Sequence, residues 1–101
     1  MNTLHQKNAI VFKALGDEKR LRILELLQNG EKCACILMAE MNIPQSSLSY
    51  HMKVLCESGI VQGRLDGKWT YYSINKVGSL DAIHLLKELT QTEVAVQSAV
   101  C

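Results

Sequence analysis

Two thiols one residue apart, Cys33-Ala34-Cys35, stand a short way ahead of Pro44-Gln45-Ser46-Ser47-Leu48-Ser49-Tyr50-His51-Met52-Lys53. The thiols are a soft donor pair. Thiolates select soft or borderline ions such as Cu(I) and Zn(II), and by the same logic Cd(II), Pb(II) and trivalent arsenic or antimony. The second run has the side chains of a helix that reads a DNA groove, short or bidentate hydrogen-bonding groups near a helix N-terminus. Together they suggest a chain whose grip on DNA is set by a thiophilic metal or metalloid.

Spacing constrains the thiol chemistry. In an ideal helix residues i and i+2 point about 200° apart and cannot share one ion. In extended chain they face the same side. Chelation therefore requires Cys33 and Cys35 to lie outside regular helix, or to deform the first turn of one. The adjacent Lys32 should favour the thiolate. Two thiols leave a site incomplete, and Cys56, Cys101 and Met38 are the candidates for a third donor. Cys56 reads equally well as a buried small hydrophobe. A disulfide between 33 and 35 is strained at this spacing, so a thiol-redox switch would involve Cys56 or Cys101. Asp81, His84 and Glu88 on the last helix read as a surface ion pair or a dimer contact rather than a harder metal site.

On the reading helix, Gln45, Ser46, Ser47, Ser49, Tyr50 and Lys53 fall off the Leu48/Met52/Leu55 stripe. Gln45 suits adenine, the serines suit phosphates or several bases, and Lys53 with Arg64 and Lys68 would neutralise phosphates. His51 either contacts phosphate or packs as a hydrogen-bonded core histidine. Trp69, Tyr71 and Tyr72 read as packing at the base of a hairpin rather than as a stacking platform.

The elements that must position these groups follow from periodicity and caps. Ile10, Val11, Ala14 and Leu15 predict a helix ending at Gly16, and Asp17 caps a second helix with Leu21, Ile23, Leu24 and Leu27 on its apolar face. A short third helix spans Cys33 to Met41. Pro44 opens a fourth helix, which Gly59 ends. Ile60–Leu65, an Asp66-Gly67 turn and Lys68–Ile74 predict a β-hairpin. A last helix from Leu80 carries Ile83, Leu86 and Leu89. The expected fold is mainly α (α+β), a winged helix-turn-helix of order ααααββα over residues 1–101, with residues 92–101 a helical extension or a flexible tail. The first and last helices have apolar faces without partners, which predicts a homodimer through them.

The chain has 101 residues, 21% of them charged, and a formal net charge of +1, so it is no polycation and DNA binding must come from a local face. No apolar run approaches a membrane span and the first residues lack a secretory pattern, which predicts a cytoplasmic protein without membrane association. There, four cysteines are ligands or redox groups rather than a disulfide framework. An enzyme is disfavoured: Cys-x-Cys is not Cys-x-x-Cys, and neither paired carboxylates nor a cofactor loop is present.

At these residues the chain resembles the ArsR/SmtB family of metal- and metalloid-responsive repressors, most like its arsenic-responsive members. The marks are Phe12-Lys13-Ala14-Leu15-Gly16-Asp17-Glu18-Lys19-Arg20-Leu21-Arg22-Ile23-Leu24, Cys33-Ala34-Cys35, the run from Pro44 to Leu55, and the Gly63 to Tyr72 wing. The resemblance implies a homodimer that binds double-stranded operator DNA in its metal-free state, has no permanent cofactor, and is released by an inducer on the third-helix cysteines. That inducer is expected to be As(III) or Sb(III), with Cd(II), Pb(II) or Zn(II) on the same thiols as the alternative. Met38 stands where arsenic-responsive members often carry a third cysteine, which shifts weight to Cys56 or Cys101. Asp81 and His84 do not match the spacing of the family's last-helix zinc site.

Overall fold

The computed structural model describes residues 3–92. Cys101 and, apart from Thr92, the tail expected over 92–101 lie outside the described residues. The chain opens with α1 (Leu4–Leu15), started by a capping box in which Thr3 and Gln6 satisfy each other's backbone N–H groups. Asp17 caps α2 (Glu18–Leu27) by accepting from the N–H groups of Lys19 and Arg20. Then come β1 (Lys32–Cys33), α3 (Ala34–Met41) and α4 (Gln45–Glu57). The α3–α4 turn passes through Asn42 in the left-handed region (φ 52°), where asparagine is tolerated. The wing is β2 (Val61–Asp66) and β3 (Trp69–Ile74), and α5 (Lys76–Thr90) follows, capped by Asn75.

Ile23 and Leu27 of α2, Leu37 of α3, and Leu48, Met52 and Leu55 of α4 meet in one core with Ala14, Ile60 and Val61. The helix-turn-helix, α3 and α4, thus rests on α2 and on the base of the wing. Leu21, assigned to the apolar face of α2, remains half exposed.

The mainly helical winged architecture matches expectation, with differences that bear on the site. The observed order is ααβααββα, because β1 pairs antiparallel with β3 and makes a three-stranded sheet in the order β1-β3-β2. Cys33 is consequently strand and N-cap, and the third helix begins at Ala34. The hairpin turn is Gly67-Lys68 rather than Asp66-Gly67, since Asp66 pairs with Trp69. Positive φ at Gly67 alone (64°) is the pattern of a turn with glycine first. The last helix starts at Lys76, ahead of the expected Leu80, and Gly78 lies against the corner after α4: a Cβ there would sit 1.7 Å from the Gly59 carbonyl oxygen. Only glycine permits that approach.

Candidate DNA-reading head and thiol site

The thiol pair straddles the junction of strand and helix. Cys33 is extended (φ −66°, ψ 144°) and Cys35 lies in the first turn of α3. Leaving regular helix at Cys33 brings the sulfurs together, with Sγ to Sγ 2.7 Å and the Cys35 N–H donating to Cys33 Sγ at 3.4 Å. An ion held at about 2.3 Å by two thiolates in tetrahedral geometry sets its sulfurs roughly 3.8 Å apart, a bite that two thiols already in contact can supply.

The pair is electrostatically unequal. The hydrogen bond from the Cys35 thiol, aided by the backbone N–H groups of Cys35 and Ile36, holds the Cys33 pKa below the ordinary thiol value. Cys35, as the donor and partly desolvated, is pushed up. Of the two, Cys33 is the one held toward thiolate. The help expected from Lys32 is supplied instead by Cys35 and these helix N–H groups. Cys56 lies late in α4, half-buried, its pKa raised by burial. Among the described residues no three His, Cys, Asp or Glu side chains gather where they could hold a metal, so Cys56 does not join the pair in this arrangement, nor do Asp81, His84 and Glu88 form a centre.

Gln45, Ser46, Ser49, Tyr50 and Lys53 lie exposed on α4, while Ser47 is partly covered. Cys35 and Met38 of α3, Gln45 and Ser49 of α4, and Lys68 and Trp69 of the wing line one cleft of about 210 Å³. The thiol site thus shares a wall with the expected DNA-reading residues. Of the aromatics, Tyr71 and Tyr72 are half-buried as expected, whereas Trp69 is half exposed beside Lys68, whose Nζ lies 5.8 Å from the ring centre.

His51 is packed: it is 8% exposed, and Arg20 donates to its Nδ1 at 3.0 Å. This fixes the neutral ring with its proton on Nε2. The Arg20 guanidinium, itself 6% exposed, also donates to the carbonyls of Ala14 and Lys13 at 3.0 Å each, capping the end of α1 with positive charge. One side chain therefore ties α1, α2 and the reading helix together. The sequence carried a signal for this, a cation at the i−3 and i−7 positions of the buried Ile23 and Leu27.

Arg64 is held on the wing. It donates to both carboxylate oxygens of Glu31, at 2.8 and 2.6 Å, approaches Asp66 at 3.7 Å, and lies 4.7 Å over the Tyr71 ring. The guanidinium keeps the Glu31 carboxyl below its ordinary pKa. Glu31 has no sequence signal, because its contact depends on β1.

A helix-turn-helix with an exposed polar reading face, backed by a hairpin wing, defines a DNA-binding transcription regulator rather than an enzyme. The chain belongs to the arsR family of bacterial regulatory proteins, whose profile matches residues 17–62. It is 41% identical over 86 residues to an uncharacterised HTH-type transcriptional regulator of Methanocaldococcus jannaschii, covering 84% of this chain and 97% of that one. It is 39% identical over 71 residues to the arsenical resistance operon repressor of Staphylococcus aureus, covering 70% and 68%. Among solved structures, a possible transcriptional regulator for arsenical resistance superposes with a TM-score of 0.72 at 29% identity, covering 82% of this chain and 86% of that one.

Proposed function

We propose that this protein is a homodimeric repressor that leaves its operator when As(III) or Sb(III) is captured by Cys33 and Cys35. The observation that carries the reading is the convergence of the two sulfurs at the head of α3. The pair sits on the strand–helix junction, which is joined to the wing through β3 and to the reading helix through the α3–α4 turn, so an ion that pulls on that junction has a path to both. The similarity to arsenical resistance repressors supports the inducer class. A third thiolate would complete a trivalent site, and Cys101 or a displaced Cys56 would supply it. On the DNA side, Gln45, Ser46, Ser49 and Tyr50 would enter the groove, and Ser47, Lys53, Arg64 and Lys68 would hold phosphates. His51 would act through Arg20 by fixing the tilt of α4. Dimerisation is supported by Leu80, Ile83, Leu86 and Leu89 of α5 and Leu4 of α1, all at least half exposed.

Couplings between an effector and its partner site are typically about 1–3 kcal/mol, a 5- to 150-fold change in affinity. Operator binding followed by fluorescence anisotropy, across arsenite, antimonite, cadmium, lead, zinc and peroxide, tests the assignment. Cys33→Ser and Cys35→Ser are expected to bind DNA like the parent protein yet ignore arsenite. A double mutant that still releases DNA on arsenite removes the thiol pair from the switch.

A further inference from the structure

Arg64 is a cation on the wing, and the reading above gives it a phosphate to neutralise. In the DNA-free protein its donors are already engaged. Nε and one terminal nitrogen are taken by Glu31 in a two-point fork, the guanidinium face lies over Tyr71, and Asp66 stands 3.7 Å from the other terminal nitrogen. The fork geometry that suits a carboxylate is the geometry that suits a phosphate. Glu31 and the DNA backbone therefore compete for the same face of one side chain.

The competition is built into the sheet. Cys33 of β1 pairs with Tyr71 of β3, and Tyr71 pairs with Arg64 of β2, so the three share one row across the strands. Glu31 is two residues before Cys33, placing its carboxylate on the side of the sheet where the Arg64 head lies. Both partners remain substantially exposed, with side-chain accessibilities of 53% for Arg64 and 35% for Glu31. Exposure keeps the pair weak enough for a phosphate to break.

We propose that Glu31 is an internal phosphate mimic: it occupies Arg64 while the protein is off DNA and lowers operator affinity by making the wing exchange one anion for another. The proposal rests on the phosphate role given to Arg64 above. Glu31 then sets how tightly the repressor grips without touching the operator.

The test is a double-mutant cycle on operator affinity with Glu31→Gln, Arg64→Gln and the combined variant, each measured from low to high salt on the full-length protein. Glu31→Gln is expected to tighten binding severalfold per protomer at low salt, roughly tenfold for a dimer, with the gain fading as salt screens the pair. Arg64→Gln is expected to weaken binding and to flatten the dependence on salt, by about one phosphate contact per protomer. In the Arg64→Gln background, Glu31→Gln should have no effect. An equal gain with and without Arg64 would mean that Glu31 acts only as a general negative charge, and overturns the proposal. Unchanged affinity in Glu31→Gln, beside an Arg64→Gln protein that binds more weakly with a flattened salt dependence, overturns it while sparing the phosphate role. An Arg64→Gln protein with the parent's affinity and salt dependence removes Arg64 from the interface, and the mimic falls with it.

Discussion

Replacing Arg20 with methionine tests whether one buried guanidinium holds the reading helix to the body of the protein. Methionine keeps the length of the side chain and much of its apolar packing, so the change isolates the three donated hydrogen bonds. The Lys13 carbonyl belongs to an exposed residue and regains water when Arg20 is lost. The Ala14 carbonyl and His51 Nδ1 are on buried residues and do not. A buried acceptor stripped of its partner costs about 1–3 kcal/mol, so the two together set a loss of roughly 3 kcal/mol. That is a large share of the 5–15 kcal/mol by which domains of this size are usually stable. With a urea slope of about 1.5 kcal/mol/M, the unfolding midpoint should fall by about 2 M. The assay is urea denaturation followed by circular dichroism at matched protomer concentration, since a dimer's stability depends on concentration. Arg20→Lys, which offers a single nitrogen, should recover part of the loss. A methionine variant whose midpoint stays within about 0.3 M of the parent would refute the network's role.

The same cluster predicts acid sensitivity. Burial, with the Arg20 and Lys19 charges acting in the same direction and Asp17 against, lowers the His51 pKa below the ordinary imidazole value. The unfolded chain therefore binds the proton more readily, and the stability held by neutral His51 is complete above about pH 6.5 and lost as pH falls from there through the folded-state value. Unfolding midpoints should drop between pH 7.5 and 5.5 in the parent and drop less in His51→Gln; equal slopes would argue against the histidine. Gly78→Ala should force α5 off its seat, since the new methyl meets Gly59 backbone at 1.7 and 2.5 Å. A loss of about 2 kcal/mol, read as a fall of roughly 10 °C in Tm, is expected, and an unchanged Tm would show that α5 is free to shift.

The helices were legible because their apolar periods and caps agree: Asp17 caps as expected and the Leu48/Met52/Leu55 stripe is buried. The winged architecture followed once the hairpin pattern after Gly59 was added, while the family rested on the resemblance carried by the residue runs quoted above. Strand β1 was illegible, since two residues carry no period and its pairing depends on β3, far away in sequence. The start of α5 at Lys76, ahead of the expected Leu80, was not legible either, because the seat of Gly78 on Gly59 exists only in the folded corner. At the site, spacing alone said that chelation needs Cys33 and Cys35 outside regular helix or a deformed first turn; the chain leaves the helix at Cys33 and keeps Cys35 in the first turn. The Glu31 contact was beyond reach, because nothing in the sequence places an exposed glutamate beside the wing.

Contact between Gly78 and Gly59 has one more result. Main chain lies directly on main chain there, with no side chain between to rotate and absorb a shift. No residue of α5 is fully buried, so this backbone seat is what sets where the final helix leaves the body of the protein. In the dimer proposed above, that seat would help set the distance between the two reading heads, and with it the half-site spacing an operator must offer to engage both.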